Sequence, residues 1–352
     1  MSSRIKALKY LSVFSLPFTM AIALTAGGWW TFLPFVYVFG MIPSLELFIK
    51  PRPENLTEAE ETIAKEDPFF DWLLYLTIPA QLLYLGWYLF SIENNTYTSL
   101  EYTGLVLSMG IMCGVFGINV GHELGHRTKA HEIFLAKVAL ASSLYMHFYI
   151  EHNRGHHRRV ATHEDPATAR YGENIFFFWI RSVIFSFISA WRIEATRLQK
   201  KKRHWFSPHN EMMQFMLIQL LILAGIAVLF SVNTMVYFAL AALVGILLLE
   251  TVNYIEHYGL VRKKKENGRF ERTSPHHSWN SNHVIGRIML FELSRHSDHH
   301  YEASRKYQVL RHHEESPQMP TGYPGMMVMA LMPPIWFLIM HRRLRELNAV
   351  EA

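Results

Sequence analysis

Apolar blocks recur along this chain between short polar interruptions, and six of them approach or reach the roughly 20 residues that a bilayer-crossing helix needs. They cover approximately residues 10–28, 29–49, 69–91, 102–120, 213–231 and 234–254. Six such blocks argue against the buried core helices of a large soluble protein. The pattern predicts an all-α integral membrane protein with six transmembrane helices and a cytoplasmic histidine-rich domain. No internal repeat, low-complexity tract or Gly/Ser linker divides it, so residues 1–352 are expected to form one domain.

Two long stretches, 121–212 and 255–352, lie outside the spans and are expected to carry the chemistry. Inside the first, 133–150 and 175–191 are apolar but contain Lys137, His147 and Arg181. They are expected to lie at the interface, although a further spanning pair would leave the sidedness unchanged. In the second, Glu266-Asn267-Gly268-Arg269 reads as a turn. The last apolar run, 326–340, is broken by Pro333 and Pro334 and is expected to pack without crossing.

Composition fits a membrane protein: 50% of residues are hydrophobic and 14% aromatic, heavy for a soluble chain. Charge then sets the orientation. The connections 25–28, 92–101 and 231–234 hold none of the 34 Lys and Arg, most of which gather at 4–9, 50–65, 127–203, 262–305 and 342–345. With six spans these all fall on one side, the cytoplasmic side, together with the N-terminus. Arg4, Lys6 and Lys9 before an apolar stretch also fit a targeting signal, but a signal-anchor first helix explains them without cleavage. The basic excess is expected to face lipid and not nucleic acid. The single cysteine, Cys113, excludes an intrachain disulfide and an iron-sulfur cluster held by this chain alone.

The candidate chemistry is concentrated in histidine. His122 and His126 stand four apart; His152, His156 and His157 form a second cluster; His296, His299 and His300 form a third. Imidazole binds iron, zinc and copper, and a mononuclear site rarely takes more than four protein ligands, so this number points to two metal ions and to catalysis. On a regular helix His152 and His156 would share a face while His157 pointed about 100° away, so that neighbours could serve different metals. Glu123, Glu151, Glu256 and Asp298 are candidate partners for the outer ring nitrogens, with plain ion pairs to arginine the competing reading. His257, at the end of the sixth block, would by composition alone be read as a cap. His276, His277 and His283 are reserve candidates.

Four segments together resemble the membrane-bound alkane 1-monooxygenases, within the wider superfamily of histidine-rich membrane desaturases and hydroxylases. They are His-Glu-Leu-Gly-His at 122, Glu-His-Asn-Arg-Gly-His-His at 151, Asn-Tyr-Ile-Glu-His-Tyr-Gly-Leu at 253 and Arg-His-Ser-Asp-His-His at 295. Asp165-Pro-Ala-Thr, the segment 276–283 and Pro320-Thr-Gly-Tyr-Pro add support, and Ser294 departs from the Gln expected there.

The resemblance implies that His257 is the ninth ligand, that the nine histidines hold two non-haem irons, and that O2 is used to hydroxylate the terminal methyl of medium- or long-chain alkanes. It implies Val38 as a channel position and a rubredoxin, reduced by its own reductase, as electron donor. The basic runs 200–203 and 262–265 could attract that acidic protein or lipid headgroups. A fatty-acyl desaturase or hydroxylase would share fold and metals. An intramembrane zinc protease would use only the first cluster, and a metal transporter would place its histidines within spans.

Overall fold

The computed structural model describes residues 6–351, so Arg4 lies outside the described residues. Helices dominate: α1 (Leu8–Ala26), α2 (Gly28–Glu46), α3 (Glu58–Glu66), α4 (Pro68–Asn94), α5 (Ser99–Gly125), α6 (Ala130–Ala141), α7 (148–159), α8 (Ile175–Lys200), α9 (Glu211–Leu229) and α10 (Val232–His257). Four shorter or later ones follow: α11 (Val284–Met289), α12 (His296–Tyr301), α13 (Tyr323–Ala330) and α14 (Pro333–Glu351). The only β pairing among the described residues is two isolated bridges, Lys264 with Phe270 around the expected turn and Asn280 with Gln318.

The helix starts follow local chemistry. Phe69 donates its N–H to the Asp67 carboxylate with Pro68 in the first turn of α4, Thr98 and Glu101 form a capping box on α5, and the Asn210 side chain accepts from Met212 and Met213 at α9. The six expected spans are α1, α2, α4, α5, α9 and α10. Of these, α5 and α10 outrun their apolar blocks, carrying His122 and His257 on their last turns.

A seventh helix is long and apolar enough to cross a membrane by length and composition: α8, from the segment expected at the interface. Its first half remains apolar because Arg181 is neutralised by Glu173 and bonded to the Pro166 and Thr168 carbonyls. By contrast α6 has 12 residues, too short to span. The chain breaks between α13 and α14 at Pro333 and Pro334, as expected.

Two compact units interleave in sequence. The first takes in the described residues up to Val38, Asp67–Gly155 and Ser186–Leu249; the second takes in Phe39–Glu66, His156–Phe185 and the described residues from Glu250. In the first, α5 and α10 touch backbone to backbone: a Cβ on Gly110 would stand 2.4 Å from Val244, and one on Gly245 would stand 2.8 Å from Cys113. The Ser108 hydroxyl donates to the Thr31 carbonyl at 2.6 Å, binding α5 to α2. Ile118, Leu140, Met146, Phe148 and Ile150 form part of a buried apolar cluster beneath the first histidines.

In the second unit a buried carboxylate, Glu46, accepts the Gly286 N–H at 2.7 Å, and any side chain at Gly322 would overlap it. Arg295 donates to the carbonyls of Leu310 at 2.6 Å and Glu54 at 2.9 Å, fixing the approach to α12.

Candidate metal centre

The first unit brings together His122, His126 and His152. His122 sits on the last turn of α5, His126 caps it, and His152 rises from α7. Ring centroids are 4.4 Å apart for His122 and His152, 4.9 Å for His122 and His126, and 5.1 Å for His126 and His152. The Nε2 atoms of His126 and His152 stand 3.1 Å apart. Phe148 stacks on His152 with centroids 4.7 Å apart, closing the apolar side.

The second unit brings together His156, His257, His296 and His300, all buried. Their Nε2 atoms run in series, 3.2 Å from His156 to His300, 2.9 Å from His300 to His296 and 3.2 Å from His296 to His257, and all four residues offer ligand atoms within 4.8 Å of one another. His157 and His299 face one another, again Nε2 to Nε2 at 3.2 Å.

His152 and His156 therefore do not share a set, contrary to the regular-helix expectation. The reason is local. Between His152 and His156 the helix widens into a turn closed by i→i+5 hydrogen bonds, which holds more residues per turn than an α-helix, so residues four apart no longer stack. Two more wide turns, Tyr37–Met41 and Cys113–Asn119, lie around Val38 and just before His122.

The donor sets fit a transition metal. At metal–nitrogen distances of about 2.0–2.1 Å, adjacent ligand atoms lie roughly 2.9 Å apart on an octahedron and roughly 3.4 Å apart on a tetrahedron. The separations of 2.9–3.2 Å fall between these values. Burial favours the neutral form that a metal requires at two of these imidazoles: His299 is pushed down to about 3 by burial and by the neighbouring His156, and His300 lies well below the ordinary histidine range.

The carboxylates divide into different roles. Glu123 pairs with Arg127 at 2.7 Å, and Arg127 also meets Asp71 at 3.2 Å in a buried network. Glu151 accepts from the Ser189 hydroxyl at 3.2 Å. Asp298 holds His313 at 2.7 Å and accepts the Arg311 N–H at 2.8 Å. Glu256 touches His296 on its inward nitrogen, Nε2, at 3.1 Å, and receives the Tyr323 hydroxyl on its other oxygen at 2.8 Å.

Asp165 places a carboxylate on an outer ring nitrogen: its Oδ2 lies 2.8 Å from His156 Nδ1 while the Thr168 hydroxyl donates to the same oxygen at 2.6 Å. Burial alone would raise the Asp165 carboxyl. His156 and these hydrogen bonds outweigh it and hold the group below its ordinary range.

Asp165 belongs to a segment that supports the resemblance, yet no spacing rule links it to a histidine nine residues earlier, so the sequence alone gives it no role. Of the reserve histidines, His277 bonds Glu271 and Ser274, and His283 bonds Ser281; neither joins the nine. His276 is exposed, as befits the rim of the cleft it lines. Val38 is half-buried on α2.

Residues 98–330 match the family model of the fatty acid desaturases. Alkane 1-monooxygenase 1 of Pseudomonas aeruginosa is 41% identical over 345 residues, covering 97% of this chain and 90% of that protein. The alkane 1-monooxygenase of Ectopseudomonas oleovorans is 41% identical over 315 residues, covering 88% and 77%. The hydroxylase component of a Pseudomonas putida xylene/toluene monooxygenase is more distant, 29% identical over 330 residues with coverage of 91% and 84%.

Proposed function

Since the chain belongs to the fatty acid desaturase family and, within it, to the membrane-bound alkane 1-monooxygenases, we propose that it hydroxylates the terminal methyl of medium- and long-chain alkanes with O2. The nine histidines hold two iron ions, with His156, His257, His296 and His300 on one of them. Two ferrous ions supply the electrons and the binding site that O2 reduction needs.

The observation that carries this reading is the buried four-imidazole set, with Nε2 separations matching a coordination shell and with His257 delivered to it by α10. Inclusion of His257 favours the alkane hydroxylases over desaturases with eight histidines.

The chain's own residues prepare the site. Asp165 fixes the His156 ring through Nδ1 and so presents Nε2 inward. Glu256, braced by the Tyr323 hydroxyl, brings a carboxylate oxygen beside the same set, where it can orient or hold a proton next to His296. Phe148 and the apolar cluster around it keep water from the first-unit histidines. Alkane reaches the site from lipid, terminal methyl first, along α2 past Val38. Electrons come from a rubredoxin reduced by its reductase on the cytoplasmic side of the bacterial inner membrane.

The deciding experiment supplies purified rubredoxin, its reductase and a medium-chain alkane to the membrane-reconstituted protein. The 1-alkanol with about two irons per chain is the expected result. An unsaturated acyl product from acyl substrates, with no alkane turnover, would make it a desaturase; zinc in place of iron would revive the protease reading.

A further inference from the structure

The loop between α8 and α9 reads Lys-Lys-Lys-Arg-His-Trp-Phe from Lys200 to Phe206, and every one of these side chains is exposed, Trp205 by 55% and Phe206 by 67%. The exposure is built in. Lys202 adopts a left-handed conformation, with φ of 54°, and the Lys201 and Arg203 N–H groups both return to the Leu198 carbonyl, which ends α8. Asn210 then caps α9 with its side-chain oxygen and donates its amide nitrogen to the Trp205 carbonyl at 2.7 Å. The loop is thereby pinned to the first turn of a helix whose Leu217, Leu220, Leu221, Val228 and Leu229 are all more than half exposed, as acyl-chain contact requires.

Acids on this face are engaged elsewhere. Glu194 pairs with Arg197 and Arg154, and Glu211 pairs with Lys137 and Arg154. Lys200, Lys201, Lys202 and Arg203 have no ion pair among the described residues, leaving four positive charges open beside two exposed aromatic rings. The other basic run differs. Arg262 is buried and spent on the Arg158 and Glu271 carbonyls, and no exposed tryptophan adjoins Lys263 to Lys265.

We propose that the Lys200 to Phe206 loop is a binding surface for the anionic phospholipid headgroups of the bilayer. The four cations neutralise headgroup phosphates while Trp205 and Phe206 enter the boundary between headgroup and acyl chain, the depth at which amphipathic rings settle. An acidic electron-transfer protein could answer the charge, but its approach from water would leave rings at the mouth of an apolar helix uncovered.

The test uses the full-length protein in nanodiscs of phosphatidylcholine, with or without phosphatidylglycerol, each offered in bromine-labelled form. Brominated phosphatidylglycerol should quench the wild-type tryptophan fluorescence more than brominated phosphatidylcholine does. The excess should vanish in Trp205→Phe. In K200Q/K201Q/K202Q/R203Q the preference for phosphatidylglycerol should fall on the order of tenfold or more, with metal content unchanged. The all-Arg variant K200R/K201R/K202R should keep the preference, which separates charge from folding.

Equal quenching by the two lipids, an unchanged preference in the Gln variant, or suppression by inorganic phosphate at low millimolar concentration would overturn the proposal. So would a Gln variant whose only defect is a raised KM for an acidic electron donor, since the surface would then serve a protein.

Discussion

At the residue scale the site depends on which nitrogen each histidine presents. The Asp165 carboxylate fixes His156 by its outer nitrogen, and the Thr168 hydroxyl fixes Asp165. Removing such a supporting carboxylate typically costs 10–100-fold in metal affinity or activity. Asp165→Asn is therefore expected to lower turnover and bound iron by roughly 10–100-fold while the helical content by circular dichroism stays unchanged; iron loading equal to wild type would remove Asp165 from the site. The histidines themselves should be less forgiving. His126→Ala and His299→Ala are each expected to abolish hydroxylation and lower bound iron, and full iron content in both variants would refute their assignment as ligands. Eight of the nine histidines stand out in the sequence by clustering at helical spacing, whereas His257 enters only through the resemblance. Asp165 carried no comparable mark: its partner lies across a turn whose geometry only the fold supplies.

At the element scale the wide turns explain what spacing alone could not. A four-residue interval predicts a shared face only on a regular helix, and the turn at His152–His156 departs from that, so His152 and His156 diverge to separate sets. The limits of the long apolar helices, by contrast, were readable to within a few residues because apolar length and capping residues act locally. What escaped was the length of α8, which runs beyond the 175–191 segment to Lys200, with Arg181 held by Glu173 and two carbonyls. Helix packing gives its own expectation. Gly110 on α5 leaves no room for a side chain against Val244 and the Ala241 carbonyl, so Gly110→Leu should destabilise by about 1–3 kcal/mol and lower the unfolding temperature in detergent. An unchanged melting curve would mean that α5 and α10 part without cost. On α2, Val38→Trp is expected to shorten the longest alkane accepted, read from product distributions across a chain-length series; an unaltered series would place the channel elsewhere.

At the scale of the whole molecule the chain separates its basic surfaces by what surrounds them. Lys200 to Arg203 lie between two apolar helices with tryptophan and phenylalanine at hand, whereas Lys263 to Lys265 sit on the bridged turn that follows the His257 segment. Exposed charges of this second kind interact with a soluble partner mainly by steering, an effect that salt screens over about 8 Å at physiological ionic strength. If the electron donor is an acidic protein that meets this turn, its KM should rise with added salt while kcat at saturating donor holds steady. K263E/K264E/K265E should then raise that KM several-fold at low salt, flatten its salt dependence and leave bound iron intact, because none of the three side chains belongs to the histidine sets. The K200Q/K201Q/K202Q/R203Q variant, measured in the same assay, should keep the wild-type KM. A donor KM indifferent to salt, or moved equally by both variants, would show that electrons enter over a surface other than this turn.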